Sequence, residues 1–286
     1  MLLFLGFVGP NLLLLAIFVF WPLCYNVYLS FVQWDFISPD KPWVGLQNYH
    51  DVFLDPLFQK VIVTTLLFTI SCVSATLLIG LLIALLLNQP LRWRTVTRTV
   101  VFTPTVLSGA AIAVAWIYLF DPRFGPLQIP LHWLGINSPA WLTDPAWALP
   151  AVILVYVWKQ AGYAVVIYLA GLQAIDRTLY EAARVDGAGH WARFWHVTLP
   201  GLSPISFFLL VTNVLSCFQA FDIIRVMTGG GPINATNTLV YHLYELGFVA
   251  FQAGPAGVVA VVMLVLMVCL TLLQLHYLER RVTYAY

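Results

Sequence analysis

Apolar and polar stretches alternate along this chain on the length scale of a lipid bilayer. A spanning helix needs about twenty mostly apolar residues, and six runs reach that length, at about residues 2–28, 61–87, 100–120, 147–170, 204–224 and 254–275. The pattern therefore predicts an all-α, polytopic membrane protein with six transmembrane helices in a single domain, 1–286. Pro10 and Pro22 fall inside the first run, where a missing backbone N–H predicts a kink, and the third run includes Pro104. A cleaved leader is the competing reading of the first run. That run is too long, has no basic flank and lacks a small-residue cleavage pattern.

The polar stretches have characters of their own. Residues 30–59 carry Trp34, Trp43 and Tyr49, aromatic types suited to a membrane interface, and predict an external loop with a short interfacial helix. Residues 121–145 are rich in proline, with Trp133 and Trp141 marking further interfacial pieces. A third polar island, Glu181 to Pro200, sits between two strongly apolar runs. It reads as two short helices around a turn: Glu181, Ala182 and Ala183 are good helix formers, Asp186-Gly187 is a stop signal, and Pro200 ends what precedes it.

Composition agrees with a membrane location and removes several functions. The chain is 61% hydrophobic and 9% charged with a mean hydropathy of +0.89, against about 25% charged residues in a soluble domain. A net charge of +1 leaves no electrostatic footprint for nucleic acid. The four cysteines, Cys24, Cys72, Cys217 and Cys269, lie far apart in apolar runs, so neither a CxxC metal site nor a disulfide framework is expected. None of the three lysines follows a glycine, so there is no phosphate-binding loop and the chain is not expected to hydrolyse ATP or to hold any cofactor. With both termini cytoplasmic, the inner loops and tail hold Arg92, Arg94, Arg98, Arg177, Arg184, Arg193, Arg280 and Arg281. Only Lys41, Lys60, Arg123 and Arg225 are left on or near the outside. This distribution obeys the positive-inside rule and places the Glu181 island in the cytoplasm.

Polar groups inside the predicted spans are candidates for a transport path. Lys159 is the one charge deep in a run, beside Gln160 and with Tyr163 one turn on, and an intramembrane ion is a functional candidate. A lysine that snorkels to the interface is the plainer alternative. In the fifth run Thr212, Asn213, Ser216 and Gln219 fall within an arc of about 120° on a helix. Such a stripe lines a path or bonds a neighbouring helix.

The polar island also carries a resemblance. Glu181-Ala182-Ala183, three residues, Gly187, nine residues, Val197, one residue and Leu199-Pro200 resemble the EAA loop of the membrane subunits of ABC importers, with Val197 where the family usually has Ile. The Gly229-Gly230-Gly231-Pro232 run followed by Thr236 and Thr238 is similar to an external loop of sugar permeases. FFLLVTN (207–213), ATNTLVY (235–241), YLERRVTY (277–284) and Trp158-Lys159-Gln160 resemble the glycerol-3-phosphate branch of that carbohydrate uptake group. The resemblance implies the type I ABC importer permease fold, with residues 177–200 as the coupling loop. Glu181, Ala182, Ala183, Asp186, Gly187 and Ala188 would contact a separate ATPase, and Leu199 and Pro200 would start the next span. It implies, as partners, a second homologous permease, two ATPase subunits carrying ATP and magnesium, and an extracytoplasmic solute-binding protein, in a bacterial or archaeal cytoplasmic membrane. The solute would be an oligosaccharide, a glycosylated polyol or glycerol-3-phosphate. The competing class is an ion-coupled secondary carrier of a small polar solute, although no acid lies mid-span to bind the ion.

Overall fold

The computed structural model describes residues 2–89, 94–135 and 137–278. Arg92 and the basic tail Glu279-Arg280-Arg281 lie outside the described residues. Among the described residues the regular secondary structure is all helical, apart from one isolated antiparallel bridge between Val32 and Trp43.

The first helix, α1, consists of Leu2–Leu15, a wide π turn Ala16–Phe20 and Trp21–Leu29. The π turn has a local cause. Pro22 cannot donate to the Phe18 carbonyl four residues back, and the chain relaxes by widening, so that Trp21 N–H bonds the Ala16 carbonyl instead. After it come α2 (Gln47–Leu54), α3 (Pro56–Leu87), α4 (Arg94–Val106), α5 (Gly109–Leu119), α6 (Gln128–Trp133) and α7 (Pro145–Ala174). The start of α7 is set by Asp144, which accepts the Ala146 N–H, with Pro145 in the first turn.

The Glu181 island folds as α8 (Arg177–Val185) and α9, the latter built from His190–Arg193, a π turn Phe194–Thr198 and Leu199–Gly201. Then follow α10 (Ser203–Phe218), α11 (Asp222–Met227), α12 (Leu239–Tyr244) with the π turn Glu245–Val249, and α13 (Ala253–Leu273) with a final π turn Gln274–Leu278.

Among the described residues four continuous helical stretches are long and apolar enough to cross a membrane: Phe7–Leu29, Pro56–Leu87, Pro145–Ala174 and Ala253–His276. Two further pairs pass the same test but are sharply bent, Val96–Val106 with Gly109–Leu119 by 102° and His190–Gly201 with Ser203–Phe218 by 59°. The protein is thus an all-α membrane protein of four to six spans. The apolar run at about 100–120 is broken where Ser108 adopts an extended ψ of 135°, and that at about 204–224 where α10 stops at Phe218.

The described residues form two compact units. The first gathers the chain up to Val63 with Thr238–Leu266, and the second takes Thr64–Asn237 with the residues from Met267 on. In the second unit an apolar cluster joins Ala84 and Leu87 of α3, Ala164, Val165, Tyr168, Leu169 and Leu172 of α7, and Leu202 and Leu209 around the start of α10. Small residues bring these helices together, as expected where lipid provides no drive to associate them. A Cβ on Gly80 would lie 2.6 Å from that of Ala164, and one on Gly162 would collide with the Val101 carbonyl oxygen. That contact of α4 with α7 is sealed by Thr105, whose hydroxyl donates to the Lys159 carbonyl at 3.0 Å. In the first unit Asn48 donates to the carbonyls of Ser30 and Val32, both at 2.9 Å, and ties α2 to the end of α1.

Candidate functional site

Two places in the second unit collect the residues singled out from the sequence: the turn around Gly187 and a polar cavity beside Lys159.

The turn is made by local chemistry. Asp176 caps α8 by accepting the Thr178 N–H at 2.9 Å, a bond that holds its carboxyl below the ordinary carboxylate range. At the other end Ala188 N–H bonds the Ala183 carbonyl at 2.8 Å and Gly187 N–H bonds the Arg184 carbonyl at 3.0 Å. This paired return is the Schellman stop, with Gly187 in its left-handed position at φ +77°. Nothing lies within 4 Å of where a Gly187 Cβ would sit, so backbone angle, not space, selects glycine there.

Glu181, Ala182, Arg184, Val185, Asp186 and Gly187 are exposed, whereas Ala183 and Ala188 are half-buried inside the turn. Val185 and Trp191 are 89% and 77% exposed, and Leu179 and Trp195 are exposed as well, so the island offers apolar side chains in addition to the charges of Glu181, Arg184 and Asp186. The rear of α8 is anchored through Tyr180, whose hydroxyl meets that of Thr198 at 3.0 Å. Leu199 and Pro200 are half-buried in α9. As at Pro22, a π turn precedes Pro200: Leu199 N–H bonds the Phe194 carbonyl.

The cavity, about 220 Å³, is lined by Lys159, Gln160 and Tyr156 of α7, Ser216 of α10, Gln219, Ala220 and Phe221, Asp222 and Ile223 of α11, and Gly109. Four of the seven path candidates therefore meet here: Lys159, Gln160, Ser216 and Gln219. Lys159 and Asp222 share the cavity without forming an ion pair among the described residues. Gly109 opens room for the acid, since a Cβ on it would stand 3.2 Å from that of Asp222.

The other three candidates lie elsewhere. Thr212 returns its hydroxyl to the Phe208 carbonyl at 2.9 Å. Asn213 is buried and donates to the Leu209 carbonyl at 2.7 Å. Tyr163 packs against the apolar cluster. Asp222 is the lining residue that helical periodicity does not reveal. The chain leaves the helix after Phe218 and turns through Gln219–Phe221, without a glycine or proline to signal it, and this swings Asp222 back to the cavity. In the Gly-Gly-Gly-Pro loop, Thr236 is buried and donates to the Gly231 carbonyl at 2.8 Å, a bond that closes the loop on itself.

Comparison with known proteins identifies the class. Residues 76–284 match the family of binding-protein-dependent transport system inner membrane components. The chain is 35% identical over 278 residues to the sn-glycerol-3-phosphate transport system permease protein of Pectobacterium atrosepticum, covering 96% of this chain and 93% of that one. It is 36% identical over 246 residues to a probable ABC transporter permease protein of Bacillus subtilis, with 85% and 84% covered. Among solved structures it superposes on a chain of a bacterial ABC transporter involved in the import of the acidic polysaccharide alginate, with a TM-score of 0.85, 25% identity and coverage of 99% and 96%.

The chain belongs to the family of inner membrane components of binding-protein-dependent transport systems. It is an ABC importer permease of the inner membrane. Nothing in these relationships supports the secondary-carrier alternative.

Proposed function

We propose that this chain is the permease subunit that takes a sugar or sugar-like solute from an extracytoplasmic binding protein into the cytoplasm. It works beside a second homologous permease and above two ATPase subunits that hold ATP and magnesium, the chain itself having no phosphate-binding loop. Both termini are cytoplasmic on the arginine distribution, and the lipid bilayer surrounds the single domain 1–286. The observation that carries the reading is the capped, exposed helix α8 with its Schellman stop, joined to a chain that matches solute permeases over nearly its full length.

In this reading Glu181, Ala182, Ala183, Asp186, Gly187 and Ala188 form the knob that sits in an ATPase groove. Closure of the ATPases pushes α8, and the Tyr180–Thr198 bond carries the motion into α9, where Leu199 and Pro200 open the next span. The cavity supplies the waypoint for the solute. Lys159 and Asp222 offer one charge of each sign, and Gln160, Ser216 and Gln219 offer amides and a hydroxyl. This suits a hydroxyl-rich neutral solute better than a dianion, which Asp222 would repel. A volume of 220 Å³ is below the ~300–1,000 Å³ of pockets that enclose a whole small molecule, so the path is completed by the second permease.

The test is solute-stimulated ATPase activity of the reconstituted complex with its binding protein, using Glu181→Lys as the coupling variant. Stimulation by one glycoside or polyol, lost in the variant, is the expected result. Stimulation that survives the variant would remove Glu181 from the coupling contact.

A further inference from the structure

The first unit holds a second cavity, of about 700 Å³, which the transport reading does not use. Its walls are the chain from Gln33 to Val44, the first turns of α2, and the segment from Ala250 to Pro255. These walls are fixed to one another. Gln33 N–H bonds the Pro42 carbonyl at 3.0 Å, and Ala253 N–H bonds that of Trp34 at 2.9 Å. Gly254 is packed so closely that a Cβ there would lie 2.5 Å from both the Val32 oxygen and the Asn48 side-chain nitrogen.

The lining is rich in acceptors. Asp35, Asp40 and Asp51 line it together with Gln33, Gln47, Gln252 and Asn48; Asp51 accepts from Gln47 at 2.8 Å and has the His50 ring nitrogen 3.3 Å away, and Asp40 carries no such partner among the described residues. Asp35 is held ionised because it accepts the N–H groups of Ile37 and Ser38 and the Ser38 hydroxyl. Asn48 is only 8% exposed. Its nitrogen is committed to two backbone carbonyls, which fixes the opposite amide atom as oxygen. That oxygen has no partner among the described residues and fronts the cavity. Open to the cavity, it is an acceptor that a donor of a ligand can reach.

The rim already attracts a cation: the Lys41 ammonium lies 3.7 Å over the Trp34 ring and donates to the Tyr25 hydroxyl at 3.0 Å. No three His, Cys, Asp or Glu among the described residues gather as a metal site, so the acceptors are spread for a ligand with several separate donors. The volume lies in the ~300–1,000 Å³ range of pockets that enclose whole ligands, well beyond one ammonium head.

We propose that this groove docks a lysine- and arginine-bearing segment of a partner protein, its cationic heads pairing with Asp35, Asp40 and Asp51 and one of them donating to the Asn48 oxygen. Naming that partner as the solute-binding protein rests on the transport reading, in which residues 30–59 lie outside the membrane.

The test uses the full chain in lipid nanodiscs and a fluorescent Gly-Arg-Lys-Arg-Gly peptide followed by anisotropy. Binding should weaken several-fold between about 50 and about 200 mM salt, as screening shortens the reach of exposed charges. It should weaken about tenfold in Asp40→Lys, at an exposed position whose side chain makes no hydrogen bond among the described residues, and likewise in Asp40→Asn/Asp51→Asn. A Gly-Glu-Glu-Glu-Gly peptide should not bind. Absent or salt-insensitive binding of the basic peptide, or tighter binding of spermidine or maltotriose, overturns the proposal. In the assembled importer, Asp40→Lys should raise the half-saturating concentration of binding protein about tenfold with maximal ATPase rate unchanged; an unchanged half-saturation overturns the choice of partner. An importer that answers to no binding protein would instead sink the transport reading, and the peptide result would stand.

Discussion

The turn at Gly187 and the cavity at Lys159 belong to the same unit yet are built by opposite means. The turn is made almost wholly of bonds between residues a few positions apart: the Asp176 cap, the two returning N–H groups of Gly187 and Ala188, and one tie from Tyr180 to Thr198. The cavity depends on α5, α7, α10 and α11 meeting, and its defining pair, Lys159 and Asp222, is far apart in sequence. Local construction makes a rigid part whose failure is abrupt. Tertiary construction makes a site whose properties change in steps as single groups are removed.

The largest effect should come from Gly187→Val, which forces a β-branched residue to φ +77° at a cost of about 1–2 kcal/mol or more. Solute-stimulated ATPase activity of the reconstituted complex should drop about tenfold, while Gly187→Asn, tolerant of that angle, should stay within a factor of about three. Equal behaviour of the two variants would show that the stop is not the rigid element.

Next come the cavity charges. Lys159→Gln and Asp222→Asn should each raise the transport KM about three- to tenfold, as expected when a hydrogen-bonding group to the solute is removed, with the double variant no worse than the sum. If Asp222→Asn instead improves uptake while Lys159→Gln abolishes it, the solute is an anion.

Tyr180→Phe removes one hydroxyl contact, typically about 0.5–1.5 kcal/mol, and should lower ATPase stimulation about two- to fourfold without altering solute affinity. The smallest effect is that of pH on the α8 cap. The folded-state carboxyl of Asp176 is depressed by the Thr178 N–H and hydroxyl, so its contribution is complete above the ordinary carboxylate range and fades only as pH falls through the lowered value. Coupling should therefore be flat in this respect from about pH 5 to 8. Asp176→Asn, which keeps the cap, should match wild type, and Asp176→Ala should not.

The same contrast governs what sequence reading reaches. The body of α8 and its stop follow from Glu181, the alanines and Gly187, because each acts on its own neighbours; the Asp176 cap is found only in the structure. The spans follow from hydropathy, but the break beyond Phe218 does not, since no proline or glycine stands at Gln219–Phe221. Asp222 is missed for that reason. Periodicity puts Thr212 and Asn213 on the polar stripe, but it does not show that each donates to a carbonyl of its own helix, as they do here. The acidic groove of the first unit is equally hidden, assembled as it is from residues near 40 and near 252.

The stop at Gly187 is made by main-chain groups, with no side chain holding its shape. Shape and surface chemistry are therefore separable at this joint: Val185, Arg184 and Asp186 can be exchanged while the knob keeps its outline. On the proposed coupling role, a lineage could re-match this permease to a different motor by changing only these outward residues, and an engineer could do the same, leaving the backbone frame untouched.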